Sequence, residues 1–181
     1  MFTMHAPILA SEDRSALTQT TWVSESACCS WATGLAALLR PLLEQGGSVD
    51  MRLNGTLGAG KTTFTRHLLR ALGVSGRVKS PSYAVVETHA LPGYDVHHFD
   101  FYRFNDPQEW EDAGFRDLFA SPGLKLVEWP DKADGLLPTP DLSLHIEPLD
   151  DTQRAVRWQA HTAQGQGLLS ALQPAEPEVT P

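Results

Sequence analysis

The amino-acid sequence predicts an α/β fold, in which a mainly parallel sheet is flanked by helices and carries an antiparallel hairpin. Three observations lead to this prediction. Strand-like runs of β-branched and apolar residues alternate along most of the chain with runs of helical periodicity. A glycine-rich segment follows one of the strand-like runs and opens a helix-like run. Near the end, two strand-like runs flank Asp150-Asp151-Thr152, which favours a hairpin.

Length, charge and cysteine usage limit the classes of function. The chain has 181 residues, which suits one domain with a sizeable core, and its formal net charge is −8. This acidity excludes the broad positive field of a protein that grips nucleic acid unaided. The adjacent Cys28 and Cys29 cannot frame a disulfide scaffold and suit a reducing cytoplasm. Since no apolar run approaches the ~20 residues of a membrane span, we expect a cytoplasmic protein without a membrane partner.

The two ends of the sequence differ from its middle. Residues 1–19 do not resemble an export signal, because charged residues interrupt their apolar run, and we expect a disordered arm. Residues 169–181 include the stretch QPAEPEVTP, which predicts a disordered tail. The folded domain is therefore expected to span residues 20–168.

The domain begins with a short strand and a long helix. The strand is predicted at TTWV, and Ser24 is placed to cap the helix that follows. Large apolar residues recur at helical spacing on one face, which predicts that this face is core. They are Trp31, Leu35, Leu38, Leu39 and Leu42. Gly46-Gly47 ends the helix.

A second strand and helix enclose the glycine-rich segment. Residues 48–54 predict a strand, and residues 61–72 predict a helix with Gly73 just past its end. The inward face of this helix is expected to carry Phe64, Leu68, Leu69 and Leu72.

The remaining elements follow from turn and cap signals. Ser80-Pro81 lies in a loop that leads into a strand, and a turn at residues 91–93 joins this strand to YDVHHFDFYRF. Asp106 followed by proline predicts the start of a short helix, which Gly114 closes. LKLVEW predicts an apolar strand that ends in an acid. LSLHIEPL and RAVRWQAH predict the final hairpin.

The glycine-rich segment GTLGAGKTT predicts a phosphate-binding loop. Gly55, Gly60, Lys61 and Thr62 fit the P-loop (Walker A) spacing, in which glycines let successive backbone N–H groups approach phosphate oxygens. The positive end of the following helix favours the same anion. Lys61 would neutralise the terminal phosphates, and the Thr62 hydroxyl would bind magnesium. An ordinary glycine-rich turn is the alternative, which the flanking strand and helix disfavour.

Such a site needs a further acid at the end of a neighbouring strand. Glu128 ends the apolar run LKLVE, and Asp100 ends the more polar VHHFD, so both are candidates. His97 and His98 do not suggest a metal site, because neighbours on a strand point to opposite faces.

Four segments together resemble the TsaE (YjeE) family of small bacterial ATPases. They are LNGTLGAGKTTFTRHLLRALG, VKSPSYAVVE, HHFDFYRFNDPQEWEDAGF and LVEWPD, in the family's order over roughly residues 24–158. The family serves the synthesis of threonylcarbamoyladenosine in tRNA. The resemblance implies a P-loop NTPase-like fold, magnesium-dependent ATP hydrolysis and action on a two-protein complex, of the TsaB and TsaD type, that transfers the threonylcarbamoyl group. The protein would then meet tRNA only indirectly.

The resemblance also implies roles for individual residues. ATP would be bound near Ser26, at the start of the first helix, and by Leu57, Gly58, Ala59, Gly60, Lys61, Thr62 and Thr63. Thr62 and Glu128 would hold the magnesium. The catalytic residues would be Lys61, Asp100 and Glu128. Ser80 and Ser82 lie in a loop that resembles a switch, and Trp129 would either contact the nucleotide or pack.

Two departures from the family pattern and two other functions stay open. Thr56 stands where the family usually has Asp, and Ser82 where it usually has Thr. A small-molecule kinase is the alternative function, although only Arg116 follows Asp106 where such a kinase clusters arginines. A non-catalytic, nucleotide-dependent clamp is a third reading.

Overall fold

The computed structural model describes residues 17–175, which form one seven-stranded sheet with helices on both faces. The strands are β1 (Leu17–Trp22), β2 (Ser48–Asn54), β3 (Val86–Leu91), β4 (Tyr94–Asp100), β5 (Gly123–Glu128), β6 (Leu142–Pro148) and β7 (Arg154–Ala160). The helices are α1 (Glu25–Glu44), α2 (Lys61–Leu72), α3 (Pro107–Asp112), α4 (Phe115–Ala120) and α5 (Ala163–Ala171). A short 3₁₀ helix spans Pro130–Ala133.

The strand order is β1-β7-β6-β2-β5-β4-β3. The central strands β6, β2, β5 and β4 pair in parallel, while β3 and the β7–β1 pair add antiparallel strands at the two sides. This confirms the predicted α/β fold with a mostly parallel core and an antiparallel hairpin. Parallel strands end at the same edge of a sheet, so β2, β4 and β5 bring their carboxyl ends together.

Local signals in the sequence fix the start of several helices. Ser24 caps α1, with its Oγ accepting from the Ala27 N–H at 3.3 Å. Asp106 caps α3 in the same way, with its carboxylate accepting from Gln108. Gly73 follows α2 in a left-handed conformation, as expected of a C-terminal glycine. The predicted bounds of β2 and α2 are confirmed.

Two hydrophobic clusters, one on each face of the sheet, hold the helices. The larger cluster packs α1, α2 and α5 against side chains such as Leu53 and Leu126. The smaller, aromatic cluster packs α3 and α4 against Phe99 and Val127. Leu126 and Val127 are sequence neighbours that point to opposite faces, so β5 is buried on both sides and reads as one apolar run.

The structure corrects the predicted limits of the domain. Strand β1 begins at Leu17, inside the predicted arm of residues 1–19, because it pairs with β7 along its whole length. Helix α5 runs to Ala171, past the predicted limit at residue 168, because Leu169 and Leu172 pack into the core. Residues 1–16 and 176–181, to which the rest of the predicted arm and tail belong, lie outside the described residues.

The face of α1 that packs inward is also rotated from the predicted one. Leu35, Leu39 and Leu43 are fully buried, whereas Leu38 and Leu42 are only partly buried. No helix within residues 17–175 is long and apolar enough to cross a membrane.

Candidate nucleotide-binding site

The glycine-rich segment forms a loop that joins the end of β2 to the start of α2. Gly60 precedes α2 with φ 113° and ψ 11°, and no side chain caps the helix there. A Cβ at Gly60 would meet no atom within 4 Å, so the left-handed backbone, and not lack of space, calls for glycine. At Gly55, where φ is 150°, lack of space adds to the backbone requirement, because a Cβ would lie 2.5 Å from the Ile146 carbonyl oxygen. The first N–H groups of α2 thus point out of the helix, as they do in anion sites.

Lys61 spans the mouth of this loop. Its Nζ donates to the carbonyl oxygens of Gly55 at 2.6 Å and of Thr56 at 2.9 Å. The same Nζ lies 4.0 Å from the centre of the Trp129 ring, within the range of a cation–π contact. Burial lowers the pKa of Lys61 from its ordinary value, and the carboxylates of Glu128 and Asp100 oppose that shift. The amino group of Lys61 is therefore held in place by two carbonyl oxygens and the Trp129 ring.

Glu128, at the end of β5, lies within a chain of hydrogen bonds. The Thr62 hydroxyl donates to its Oε2 at 2.9 Å, and the Nε2 of His98 contacts its Oε1 at 2.9 Å. His98 is fully buried and Glu128 is 1% exposed. A hydroxyl and a carboxylate are thus fixed side by side next to the glycine loop, and these are the oxygen ligands that magnesium prefers.

Asp100, at the end of β4, stands directly beside Glu128 in the sheet register. Its Oδ1 accepts from the Tyr102 N–H at 2.9 Å, and its Oδ2 accepts from the Ser80 hydroxyl. The loop that carries Ser80 is therefore tied to the carboxylate. Both candidate acids of the sequence lie at the same edge of the sheet as the glycine loop.

These groups line one cavity of about 360 Å³. Its walls come from the glycine loop, the first turn of α2, the loop after residue 79 and the ends of β4 and β5. The lining residues are Leu57, Gly58, Ala59, Gly60, Lys61, Thr62, Thr63, Ser80, Ser82, Asp100, Tyr102, Arg103, Glu128 and Trp129. The structure thus brings together every site residue expected from the sequence except Ser26.

Ser26 lies elsewhere, exposed on the first turn of α1. Its neighbours Ser24, Glu25 and Cys28 line a second cavity of about 420 Å³, which also includes Ala59, Gly60 and Thr63. The two cavities share Ala59, Gly60 and Thr63, so they meet at the glycine loop. The helix start approaches the loop as expected, although Ser26 itself is not among the lining residues.

Among the non-glycine residues that the structure describes, strained backbone angles occur only beside the candidate site. Only Val85 (φ 65°) and Trp129 (φ 56°) have positive φ there. Trp129 turns its indole over Lys61 and lies 5.0 Å from the Tyr102 ring, between ring centres. Val85 holds the loop end through its carbonyl, which accepts from the Asp100 N–H at 2.8 Å. Such outliers persist where surrounding contacts over-determine the backbone, often at functional sites.

Two further residues, His98 and Arg154, support the site and were not predicted from the sequence. Because His98 precedes Asp100 by two positions, strand alternation places both side chains on one face, and this signal was available. Arg154, at the start of β7, donates from its Nε to the Ala59 carbonyl at 2.9 Å. No local signal could have found this contact, because the two residues are 95 positions apart.

The histidine pair behaves as strand alternation predicts. The Nδ1 of His97 lies 2.9 Å from the Thr88 hydroxyl, whereas His98 contacts Glu128 on the other face. Within residues 17–175, no group of three or more His, Cys, Asp or Glu side chains could hold a metal ion.

Comparisons with known proteins identify the family of the chain. Residues 23–156 match the family model described as "Threonylcarbamoyl adenosine biosynthesis protein TsaE". A relative from Haemophilus influenzae, named tRNA threonylcarbamoyladenosine biosynthesis protein TsaE, is 44% identical over 124 residues, which are 68% of this chain and 78% of the relative. A relative of the same name from Rickettsia bellii is 33% identical over 137 residues, or 75% of this chain and 90% of the relative.

A solved structure shows the same fold. The crystal structure of YdiB from Bacillus subtilis superimposes with a TM-score of 0.69 and 24% identity, over 87% of this chain and 95% of that chain. Since the family model covers most of the sequence, from the residue that follows β1 into β7, the chain belongs to the TsaE family of threonylcarbamoyl adenosine biosynthesis proteins.

Proposed function

We propose that this protein is the ATPase component of threonylcarbamoyladenosine synthesis in tRNA. One observation carries the proposal: the glycine loop, the Thr62–Glu128 pair and Asp100 line a single cavity at the carboxyl edge of the sheet. The relatives' names supply the pathway, since both are named for tRNA threonylcarbamoyladenosine biosynthesis. They do not favour the alternative of a small-molecule kinase.

ATP binds with its phosphates on the glycine loop. Backbone N–H groups between Leu57 and Thr63, other than that of Ala59, which donates to the Thr56 carbonyl, donate to phosphate oxygens, and Lys61 neutralises the terminal phosphates from across the loop. The nucleoside end lies toward the second cavity, at the start of α1 near Ser26. This arrangement uses both cavities, because they meet at Ala59 and Gly60.

The donor set beside the loop fits a magnesium ion. The Thr62 hydroxyl and the Glu128 carboxylate are already within hydrogen-bond distance of each other, so one hard cation can take oxygen ligands from both. A magnesium ion held there would neutralise negative charge on the terminal phosphates while the last phosphoryl group passes to water. Glu128 holds its carboxylate toward Thr62 because His98 engages its other oxygen.

Asp100 is the residue that orients the attacking water. It faces the cavity beside Glu128, and its carboxylate is tied to Ser80 in the loop that resembles a switch. Loss of the terminal phosphate would then first change the position of this loop, which has the strained Val85 at its end.

The partners are proteins of the TsaB and TsaD type, in the cytoplasm, and tRNA is met in their company. A chain with a net charge of −8 has no long-range attraction for tRNA. Turnover depends on the partners because the cavity lies open beside exposed apolar side chains, Leu57 (74% exposed) and Tyr83 (84% exposed).

The test combines the purified chain with the two partner proteins, tRNA and ATP. We expect phosphate to be released to water and modified tRNA to accumulate, both depending on all three proteins. Transfer of phosphate to a small metabolite would support the kinase instead. Modification without any ATP turnover would support the non-catalytic clamp.

A further inference from the structure

Arg103 carries the only guanidinium that lines the nucleotide cavity within residues 17–175. It lies in the turn that follows β4, and its side chain is exposed. The other cation of the lining is Lys61, which already bonds two carbonyl oxygens of the glycine loop. The arginines of α2 line a neighbouring groove and are absent from this lining. Arg103 therefore supplies the second positive charge of the cavity.

Buried aromatic residues fix the backbone of the turn that carries Arg103. The Phe104 N–H donates to the Phe101 carbonyl at 2.9 Å, which closes a turn with Tyr102 and Arg103 at its two central positions. The Phe101 and Phe104 rings lie 5.2 Å apart between centres and are buried in the aromatic cluster. The Tyr102 N–H is bonded to the Asp100 carboxylate at 2.9 Å. The base of the Arg103 side chain is thus held beside Asp100.

The guanidinium of Arg103, in contrast, contacts only Tyr83 in the part of the chain that the structure describes. Its Nη2 donates to the Tyr83 hydroxyl at 3.3 Å, and its central carbon lies 4.2 Å from the centre of the Tyr83 ring. No ion pair formed within residues 17–175 includes Arg103. A phenol does not neutralise a guanidinium, so the full charge of Arg103 is available to an anionic ligand.

The charges of the cavity give Arg103 a function. Asp100 and Glu128 bring two carboxylates into the lining, which Lys61 alone does not balance. In phosphoryl transfer, negative charge spreads over the oxygens of the terminal phosphoryl group, and an arginine from the same chain or from a partner stabilises it in P-loop enzymes. Arg103 is the arginine that this cavity offers for that purpose.

We propose that Arg103 is a further catalytic residue of the proposed ATP hydrolysis, on which this inference rests, and that Tyr83 is its positioning residue. The oxygen of the attacking water bonds to the terminal phosphorus while the bond from this phosphorus to the bridging oxygen breaks. The bridging oxygen keeps the electron pair and leaves as part of ADP. One proton of the water stays on the released phosphate, and the other passes to solvent. Arg103 transfers no proton, and its N–H groups donate to the phosphoryl oxygens as their charge rises.

The variant Arg103→Gln tests this proposal in the presence of the two partner proteins. We expect ATP turnover to fall by about 10³-fold, the lower end of the contribution of such an arginine in P-loop enzymes. Affinity for ADP should stay within about threefold of the parent, because Arg103 acts mainly on charge that develops in the transition state. Arg103→Lys keeps the charge without the planar fork and should recover part of the turnover.

A second readout needs no turnover. Aluminium fluoride bound beside ADP imitates the phosphoryl group in transit, and transition-state analogues bind more tightly than substrates. Calorimetric titrations of the complex with ADP, with and without aluminium fluoride, should show a gain in affinity for the parent that Arg103→Gln largely loses. An equal loss of affinity in both titrations would mean that Arg103 binds the ground state, and the proposal would fail.

Variants of Tyr83 test the positioning role. Tyr83→Ala should lower turnover while ADP affinity is retained, because the guanidinium loses its support. Tyr83→Phe keeps the ring and should recover part of the loss. Turnover of both variants equal to that of the parent would remove Tyr83 from the proposal. The matched control is Arg116→Gln, which changes an exposed arginine on α4 and should keep the parent turnover.

Capture of the partner proteins by each variant separates catalysis from docking. If Arg103→Gln lowers turnover only as far as it lowers capture, Arg103 is a docking residue and the proposal is wrong. Turnover of Arg103→Gln equal to that of an active parent would contradict this inference alone. Absence of turnover in the parent mixture would instead refute the proposed function itself.

Discussion

Glu128 has a hydrogen-bond partner for each of its carboxylate oxygens. Thr62 engages Oε2 and His98 engages Oε1, so the side chain cannot turn away from the glycine loop without breaking one of these bonds. A buried carboxylate held at both oxygens is suited to a fixed ligand position. Asp100, in contrast, is bonded through its Oδ2 to Ser80, in the loop that precedes β3.

Glu128→Gln should impair hydrolysis and raise the magnesium concentration needed for half-maximal turnover. The amide keeps the shape of the side chain but loses the charge that attracts the ion, so the fold should be unchanged. A magnesium titration of ATPase activity in the presence of the partners measures this. An unchanged titration would transfer the metal role to Asp100.

His98→Leu should also raise the magnesium requirement, with ATP affinity close to that of the parent. Leucine fills the buried space but donates nothing to Glu128, whose carboxylate then has one anchor instead of two. His98→Gln, which can still donate, should recover part of the loss. If both variants unfold to the same extent and show no difference in magnesium dependence, His98 is only a packing residue.

Lys61→Ala should lower ATP affinity or turnover by tenfold or more, which corresponds to about 1.4 kcal/mol. The substitution removes the ammonium that would face the terminal phosphates in the proposed function, while the loop keeps its glycines. Nucleotide binding by calorimetry and phosphate release measure the two effects. Binding and turnover near those of the parent would contradict the assignment of the loop.

Elements differ in how far the sequence foretells them. β2 and α2 were predicted with their observed bounds. The apolar run marks β2, the glycine loop separates β2 from α2, and the capping glycine marks the end of α2. α5 was missed, since its sequence AQGQGLLSA has two glycines and little periodicity. Gly165 is nonetheless required, because a Cβ there would lie 2.0 Å from the Asp141 carbonyl oxygen. Tertiary contact, and not propensity, selects this helix.

Strand β2 carries a pH-sensitive ion pair that lies outside the candidate nucleotide-binding site. Asp50 and Arg52 are buried and joined at 2.7 Å between Oδ2 and Nη2. Burial raises the pKa of Asp50 to about 7, although Arg52 opposes the shift. The folded state therefore favours the protonated carboxyl, and this contribution to stability is full at about pH 4 and is lost as the pH rises to about 7.

Asp50→Asn should flatten that part of the stability profile, because asparagine does not ionise. Urea unfolding of the parent and the variant over this pH range gives the difference between their free energies of unfolding. We expect the difference to shift in favour of the variant as the pH rises. Parallel profiles would show that Asp50 ionises alike in the folded and unfolded chain.

The order of strands in the sheet could not be predicted from the sequence. The fold class and the edge of the sheet that carries the site followed from strand patterns, but β6 lies beside β2 only because of long-range packing. The same limit hid Arg154, which reaches the glycine loop from the last hairpin. Residues next to each other in sequence were therefore predicted well, and contacts across the sheet were not.

At the scale of the whole molecule, net charge governs encounters. With a charge of −8, the protein should bind little free tRNA at physiological salt and should capture its partner proteins instead. Capture should require ATP, because in the proposed function Ser80 and Asp100 would adjoin the phosphates that hydrolysis changes. A pull-down with and without nucleotide checks this expectation. Tight, ATP-independent binding of purified tRNA would contradict it.

The pairing of β1 with β7 has a consequence for the synthesis of the protein. Of the seven strands within residues 17–175, the ribosome makes β1 first, yet the neighbour of β1 in the sheet is β7, which is made last. Trp22 at the end of β1 stacks on Phe64, and Phe64 in turn meets Trp158 of β7 edge to face. Until residues 154–160 have emerged, a nascent chain therefore lacks both the partner of its first strand and the aromatic ring that completes this part of the core.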